Sequence, residues 1–140
     1  MDQQVLSSEK STFFLKRILV VEDDMDFGSV LVRMIQQETP YQALLATTGM
    51  EALNIVSHLH CDVFLLDYHL PFMNGVELYD RLHATAGHEA TPALFLSAST
   101  RLPLEEITQR HLMYIYKPVE LENLLEAIRS LLGSEAQNSP

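Results

Sequence analysis

Charged and hydroxyl side chains stand at the ends of four of the five short apolar runs in this sequence. In chain order they are Glu22, Asp23 and Asp24 after the first run, Asp67 after the third, Ser97 at the end of the fourth and Lys117 after the fifth. Asp67 is the least expected of these groups, because it follows the apolar residues 63–66 with no opposite charge beside it. A single acid in such a place is commonly a turn former or a helix cap, and we expect a capping role for Asp24.

Taken together, these side chains fit one chemistry. Crowded carboxylates repel one another, and a cation relieves that repulsion. A site made only of oxygen ligands with few carboxylates suits Mg²⁺, which keeps several of its waters. A carboxylate such as Asp67 can then attack phosphorus to form an aspartyl phosphate. Lys117 would balance the phosphoryl charge, Ser97 would donate a hydrogen bond to it, and Asp67 is expected to be ionised at neutral pH.

The apolar runs read as strands that alternate with helices. The runs at 18–21 and 63–66 are continuous rather than alternating in polarity, which is typical of strands buried on both faces. The predicted strands are 18–21, 41–46, 63–66, 93–97 and 113–116, and the predicted helices are 26–38, 50–59, one that begins at Gly75, a weak one at 103–110, and 119–132, which Gly133 ends. This order predicts an α/β fold with one parallel sheet that is covered by helices on both faces. The carboxyl ends of its strands would bring the side chains described above together.

Composition limits the function further. The chain has 140 residues and a formal net charge of −10, which disfavours direct binding to nucleic acid because a phosphate backbone needs clustered Lys and Arg. Its single cysteine, Cys61, cannot form an internal disulfide, and we find no leader or membrane-spanning pattern, so we expect a cytoplasmic protein without membrane contact. The predicted domain covers residues 16–132, between a flexible lead at 1–15 and a flexible tail at 133–140.

From about Lys16 to Leu132 the chain resembles a response-regulator receiver domain of two-component signalling. The stretches that carry the resemblance are "ILVVEDD" (18–24), "TGMEAL" (48–53), "DVFLLDYHLPFMNGVEL" (62–78), "LFLSA" (94–98) and "YIYKP" (114–118). The most specific of them is the spacing of Asp67, Pro71 and Gly75. The resemblance implies a flavodoxin-like, doubly wound sheet of five parallel strands in the order 2-1-3-4-5.

The resemblance also implies a role for each site residue. Asp67 would accept a phosphoryl group from a sensor histidine kinase or a histidine phosphotransfer protein. Glu22 and Asp23 would form the acidic pair for Mg²⁺, with Asp67 and the backbone carbonyl of His69 as further ligands. Lys117 would bind the phosphoryl group. Ser97 and Tyr114 would form the switch, in which the tyrosine rotates inward on activation and changes the face built by the fourth helix, the fifth strand and the fifth helix.

The sequence departs from the family pattern in two regions. The stretch between Ser97 and Lys117 is short and contains Pro103, so the fourth helix is expected to be short or displaced. His69 lies two residues after the acceptor, and we take His69 and Ser99 as candidates for tuning the phosphate lifetime. A final group, made of Met25, Phe27, Phe72 and Met73, is a candidate apolar rim for docking the phosphodonor, although such residues more often pack the first helix and close the loop.

Three functions remain open on the sequence alone. The first is a phosphorylatable switch or phosphate relay that acts on an unidentified protein target and is not an enzyme beyond its own phosphorylation and slow autodephosphorylation. The second is a receiver-like interaction module that works without phosphorylation. The third, a Mg²⁺-dependent phosphohydrolase, would want a carboxylate where His69 stands. A homodimer through the face of the fourth helix, fifth strand and fifth helix is a further option.

Overall fold

The computed structural model describes residues 15–137 and contains five strands and five helices in strict alternation. The strands are β1 (Arg17–Val21), β2 (Gln42–Ala46), β3 (Val63–Asp67), β4 (Ala93–Ser97) and β5 (Met113–Tyr116). The helices are α1 (Met25–Glu38), α2 (Gly49–Val56), α3 (Gly75–His83), α4 (Leu104–Gln109) and α5 (Leu121–Gln137).

All strand pairs are parallel, and the sheet order is β2-β1-β3-β4-β5, which confirms the expected topology. In the register of the sheet, Val21 lies between Ala46 of β2 and Leu66 of β3, while Asp67 lies beside Leu96 of β4. The last residues of these strands therefore form one edge. Backbone pairing between the strands thus places the polar residues that follow them at this edge of the sheet.

Two apolar layers cover the sheet, because successive residues of each strand face opposite sides. On one side, Ile18 and Val20 of β1 pack with buried residues of α1 and α5. On the other side, Leu19 and Val21 pack with buried residues of α2, α3 and α4. Each fully buried Leu, Ile, Val or Phe contributes roughly 1.5–3 kcal/mol to folding. The continuous apolar runs in the sequence are thus explained by burial of the sheet on both faces.

Three helices begin with a side-chain cap at the same edge of the sheet. Asp24 accepts a hydrogen bond from the backbone N–H of Phe27 at 3.1 Å, which confirms its predicted capping role. Thr48 and Asn74 cap α2 and α3 in the same way, at 3.0 and 2.9 Å. These caps satisfy N–H groups that a helix leaves free in its first turn. They also fix the loops that carry the polar residues.

The weak fourth helix is confirmed as a short one of six residues. It follows Pro103, which provides no side-chain cap, and it buries Ile107 against the sheet. Its carboxyl end is held to α3, because Arg110 donates two hydrogen bonds of 2.8 Å to the carboxylate of Asp80. The neighbouring β5, which is the edge strand of the sheet, is largely exposed.

Some predicted boundaries are wrong. Gly133 does not end the last helix, which continues to Gln137; the residues that follow the glycine include Glu135 and Ala136, which favour helix. Helix α2 ends at Val56, three residues earlier than predicted, since the chain turns at Ser57 before entering β3. Residues 1–14 and 138–140 lie outside the described residues, so the predicted flexibility of the lead and of the end of the tail stays a prediction.

Within residues 15–137, none of the helices has both the length and the apolar composition needed to span a membrane.

Two glycine substitutions test this description of the chain. A Cβ at Gly75 would lie 3.0 Å from the Cα of Tyr68 and 3.3 Å from the carbonyl oxygen of Asp67, so the backbone itself must move. We expect Gly75→Ala to lower the free energy of unfolding by roughly 1–3 kcal/mol. Gly133→Ala is the control, because a Cβ there meets nothing within 4 Å and alanine favours helix, so it should stabilise by about 0.5 kcal/mol. Urea denaturation measures both changes, and a destabilising Gly133→Ala would contradict the continued helix.

Candidate functional site

Three carboxylates meet at the carboxyl edge of the sheet. One oxygen from each of Glu22, Asp23 and Asp67 lies within 4.8 Å of the other two. Glu22 is 1% exposed and Asp67 is 5% exposed, whereas Asp23 faces solvent. Glu22 is fixed by its neighbours, since its backbone N–H donates to Ala46 and its side chain accepts a hydrogen bond from the N–H of Asp24. The sequence prediction that these acids converge is confirmed.

Lys117 reaches the same cluster from the far end of the chain. Its ammonium nitrogen lies 2.7 Å from Oε1 of Glu22 and 3.8 Å from Oδ2 of Asp67. The backbone N–H of Lys117 donates to the carbonyl of Ser97 at 2.7 Å, so β4 fixes where the lysine leaves the sheet. The closest partner of the ammonium group is therefore Glu22, and Asp67 is the second.

The pKa of Asp67 is raised from 3.8 to about 7. Burial is the largest cause, because it disfavours the charged carboxylate. The neighbouring Glu22 raises the pKa further, through a hydrogen bond that keeps a proton between the two acids and through charge repulsion. Lys117 and the backbone N–H of His69 act in the opposite direction but do not offset the burial. A pKa of about 7 leaves Asp67 only partly ionised at neutral pH, which differs from the sequence expectation.

The donor set fits a small hard cation. All three side chains offer oxygen, which Mg²⁺ prefers, and a set of so few protein ligands suits an ion that keeps several of its waters. Three acids face one ammonium group, so the cluster carries an excess of negative charge once Asp67 is ionised. A divalent cation would offset the repulsion from Glu22 and favour the ionised form of Asp67, against the effect of burial. The residues present are thus compatible with the expected Mg²⁺.

The loop after β3 is closed tightly beside Asp67. The N–H of His69 donates to Oδ1 of Asp67 at 3.2 Å, and the N–H of Gly75 donates to the carbonyl of Tyr68 at 2.8 Å. These bonds keep the His69 backbone next to the carboxylate. Its side chain is exposed and stands edge-on to the ring of Tyr68. Whether the His69 carbonyl binds a metal stays a prediction.

Ser97 and Ser99 form a local pair rather than a contact with Asp67. The Ser97 hydroxyl is fully buried, donates to the carbonyl of Ser99 at 2.9 Å and accepts from the N–H of Ser99 at 3.1 Å. The hydroxyl of Ser99 in turn accepts a bond from the N–H of Arg101 at 3.0 Å. The Ser97 hydroxyl therefore makes its hydrogen bonds within its own loop.

Tyr114 lies on the outside of the sheet. Met113 and Ile115 face α5, where they line an open groove of about 360 Å³ with residues of that helix. By alternation along the strand, Tyr114 and Tyr116 point to the side of α4, and their rings meet edge to face at 5.4 Å. Tyr114 is 40% exposed there, on the edge strand of the sheet.

Of the four residues of the candidate apolar rim, two are exposed, as a docking surface requires, and two are partly buried. Met25 is 64% exposed and Phe72 is completely exposed, the latter with a backbone φ of 71°, which is unusual for a residue with a side chain. Met73 is instead partly buried, with its sulfur against Gly49. Phe27 is also partly buried, and its ring lies under the ammonium group of Lys117. Sequence reasoning missed this last contact, for which the only signal was the position of Phe27 in the first turn after the acidic pair.

Comparison with known proteins defines the family. Residues 18–129 match the family described as the response regulator receiver domain, and the chain belongs to that family of signalling proteins. It is 33% identical over 114 residues to the transcriptional regulatory protein MalR of Bacillus subtilis, covering 79% of this chain and 48% of MalR. It is also 33% identical over 120 residues to the transcriptional regulatory protein PcoR of Escherichia coli, covering 84% of this chain and 52% of PcoR. The chain therefore spans about half the length of these curated relatives.

A solved structure supports the same fold. The CheY-like response regulator receiver domain protein of Methanospirillum hungatei superposes with a TM-score of 0.79 at 28% sequence identity. The match covers 89% of this chain and 99% of that one. The flavodoxin-like fold and the receiver family are thus established for this chain.

The raised pKa of Asp67 predicts how stability depends on pH when divalent ions are absent. Folded Asp67 keeps its proton up to about pH 7, whereas the unfolded chain releases it near 3.8, so the folded state binds more protons between these values. The contribution of protonated Asp67 to the free energy of unfolding is complete below pH 3.8, the unfolded value. It is lost as the pH rises through about 7, the folded value. Between about pH 5 and pH 8, the free energy of unfolding should fall by roughly 1–3 kcal/mol relative to Asp67→Asn.

Urea denaturation in a chelator at several pH values measures this difference. Asp67→Asn is the matched control, because the amide has the same shape and cannot titrate. Identical pH profiles for the two proteins would show that Asp67 has an ordinary pKa in the folded state.

Proposed function

We propose that this domain is a phosphorylation-dependent switch in which Asp67 accepts a phosphoryl group. The observation that carries the proposal is the position of Asp67: a buried carboxylate at the end of β3, beside two further acids and 3.8 Å from the ammonium group of Lys117. A purely structural Asp would not need an acidic pair and a lysine brought from the far end of the chain. Membership of the receiver family supports the same conclusion.

The transfer itself needs no general base. An oxygen of ionised Asp67 attacks the phosphorus of a phosphohistidine, a P–O bond forms and the P–N bond breaks. The electron pair of the broken bond stays on the imidazole nitrogen, which takes a proton. Lys117 is placed to neutralise a phosphoryl oxygen, and it must turn from Glu22 to do so.

Glu22, Asp23, Asp67 and the backbone carbonyl of His69 are the residues that we expect to hold Mg²⁺. When bound, the ion supplies positive charge that balances the phosphoryl oxygens and favours ionised Asp67. The side chains of the chain do the rest of the work. The N–H of His69 orients the Asp67 carboxylate, and the buried surroundings keep water from its oxygens.

Phosphorylation would switch the domain through Ser97. A phosphoryl group adds about −1.5 to −2 charges and three acceptor oxygens. To donate to one of them, the Ser97 hydroxyl must leave its bond to the Ser99 carbonyl, which moves the loop before α4. Tyr114, now exposed, could then rotate toward the space that the loop vacates. The state of the α4, β5 and α5 surface would change as a population shift.

The partners follow from this mechanism. We expect a sensor histidine kinase or a histidine phosphotransfer protein as the donor, in the cytoplasm, and a protein target for the α4, β5 and α5 surface, which could include a second copy of the chain. We expect the domain itself to contact neither nucleic acid nor a membrane. We assign no turnover of an external substrate, so the domain is a signalling protein and not an enzyme. His69 and Ser99 remain candidates for tuning the phosphate lifetime, for which the dephosphorylation rate of His69→Asn is the direct measurement.

Beryllium fluoride, which mimics a phosphoryl group, tests the switch. With Mg²⁺ present, we expect its addition to move the amide NMR signals of Ser97, Ser99, Tyr114 and Lys117, because these residues respond to charge at Asp67. Asp67→Asn should abolish all of these changes, since the amide cannot bind the mimic. Gln42→Ala, at the far end of the sheet, is the control and should respond like the wild type. The absence of any response in the wild type would favour an interaction module that works without phosphorylation.

Phe72 tests the docking of the phosphodonor. Its exposed ring lies five residues after Asp67 in the loop that a donor must approach, so we expect it to contact a protein donor and not a small one. Phe72→Ala should lower kcat/KM for transfer from a phosphorylated donor protein by about tenfold, which is the size expected for loss of one buried aromatic contact. Transfer from phosphoramidate should not change. Equal loss with both donors would show that Phe72 shapes the site instead of the interface.

A further inference from the structure

The ammonium group of Lys117 has a third neighbour besides the two acids. The centre of the Phe27 ring lies 4.6 Å from its nitrogen, within the distance at which a cation is attracted to the face of an aromatic ring. The lysine side chain is 20% exposed, so the ammonium group is largely removed from water. Cation–π contacts are strongest when the cation is desolvated in this way.

The backbone of α1 fixes where the ring stands. The N–H of Phe27 donates to the Asp24 cap, which ties the ring to the loop that also carries Glu22. The next residue, Gly28, lets the helix approach the sheet closely: a Cβ there would lie 2.6 Å from Cδ1 of Leu45 and 3.4 Å from Cβ of Glu22. The ring itself packs against the apolar layer of α1 and α5. Phe27 therefore has little freedom to leave the lysine.

A metal cation would compete with Lys117 for the acids, but it would not compete for the Phe27 ring. Glu22 is both the closest partner of Lys117 and an expected metal ligand, so a cation in the cluster weakens its hold on the ammonium group. Phe27 is uncharged and offers no metal ligand, so a cation in the cluster would not compete directly for its ring. Without the ring, a long and flexible lysine side chain freed from Glu22 would gain access to solvent.

We propose that Phe27 is a positioning residue that keeps the Lys117 ammonium group over the acidic cluster when Glu22 is engaged elsewhere. The proposal rests on the phosphoacceptor function proposed above. It goes beyond that function by giving a specific task to an aromatic side chain that makes no contact with the phosphoryl group.

Two measurements on the full chain test the proposal. The first is the NMR shift of the Lys117 side-chain methylene protons next to the ammonium group, which the ring face moves upfield. The second is the rate of Asp67 phosphorylation by phosphoramidate with Mg²⁺. Phe27→Leu removes the ring and keeps apolar volume, Phe27→Tyr keeps the ring face, and Leu31→Val is a control for packing defects in the same helix and the same apolar layer.

We expect Phe27→Leu to lose the upfield shift and to slow phosphorylation by about three- to tenfold, which matches the range of a desolvated cation–π contact. Phe27→Tyr should retain both properties, and Leu31→Val should change neither. The proposal is overturned if Phe27→Leu keeps the wild-type rate, or if Leu31→Val slows phosphorylation equally. A wild type that phosphoramidate does not phosphorylate would instead refute the phosphoacceptor function, and the NMR shift would still report on the placement of the ring.

Discussion

Repulsion among three carboxylates at the carboxyl edge of the sheet is the constraint on which the site depends. Oxygens of Glu22, Asp23 and Asp67 lie within 4.8 Å of one another, and two of the three side chains are buried. Such an arrangement costs folding free energy unless protons or cations enter it. Lys117 offsets part of the charge, while burial and the neighbouring Glu22 raise the pKa of Asp67. The crowded carboxylates are compatible with the divalent cation that we propose for this site.

Hydrogen bonding between the backbones of neighbouring strands, and not attraction between side chains, holds the acids together. β1 and β3 are neighbours in the sheet, and the residues that pair between them are 45 positions apart in the chain. Glu22 and Asp67 therefore lie side by side at the edge of the sheet. β4 and β5 then bring Lys117 to the same edge, 95 positions away from Glu22. Burial of the sheet on both faces stabilises this framework, and the side-chain caps of α1, α2 and α3 fix the loops above it. Folding free energy from the apolar layers therefore maintains an electrostatically unfavourable edge.

Much of this could be predicted from the sequence, for identifiable reasons. Continuous apolar runs marked the strands, and the residues that end them marked the edge where Glu22, Asp67 and Lys117 meet. The raised pKa of Asp67 was not predictable, because it depends on burial of the carboxyl group and on the neighbouring Glu22, neither of which a pattern reveals. The contact of Phe27 with Lys117 joins residues that are far apart in the chain, and the continuation of α5 through Gly133 contradicts the usual reading of glycine as a helix end. The sequence patterns thus predicted the strands and the edge where the acids meet. They did not predict the behaviour of single residues that can play several local roles.

The decisive measurement is the titration of the Asp67 carboxyl carbon, followed by ¹³C NMR with and without Mg²⁺. Without the ion, we expect a pKa of about 7 for this carboxyl group, raised by burial and by Glu22. With saturating Mg²⁺, we expect a pKa well below that value, because the cation favours the ionised form. A pKa of about 4 in both conditions, the ordinary value for an aspartate, would show that neither burial nor crowding of the carboxylates perturbs Asp67.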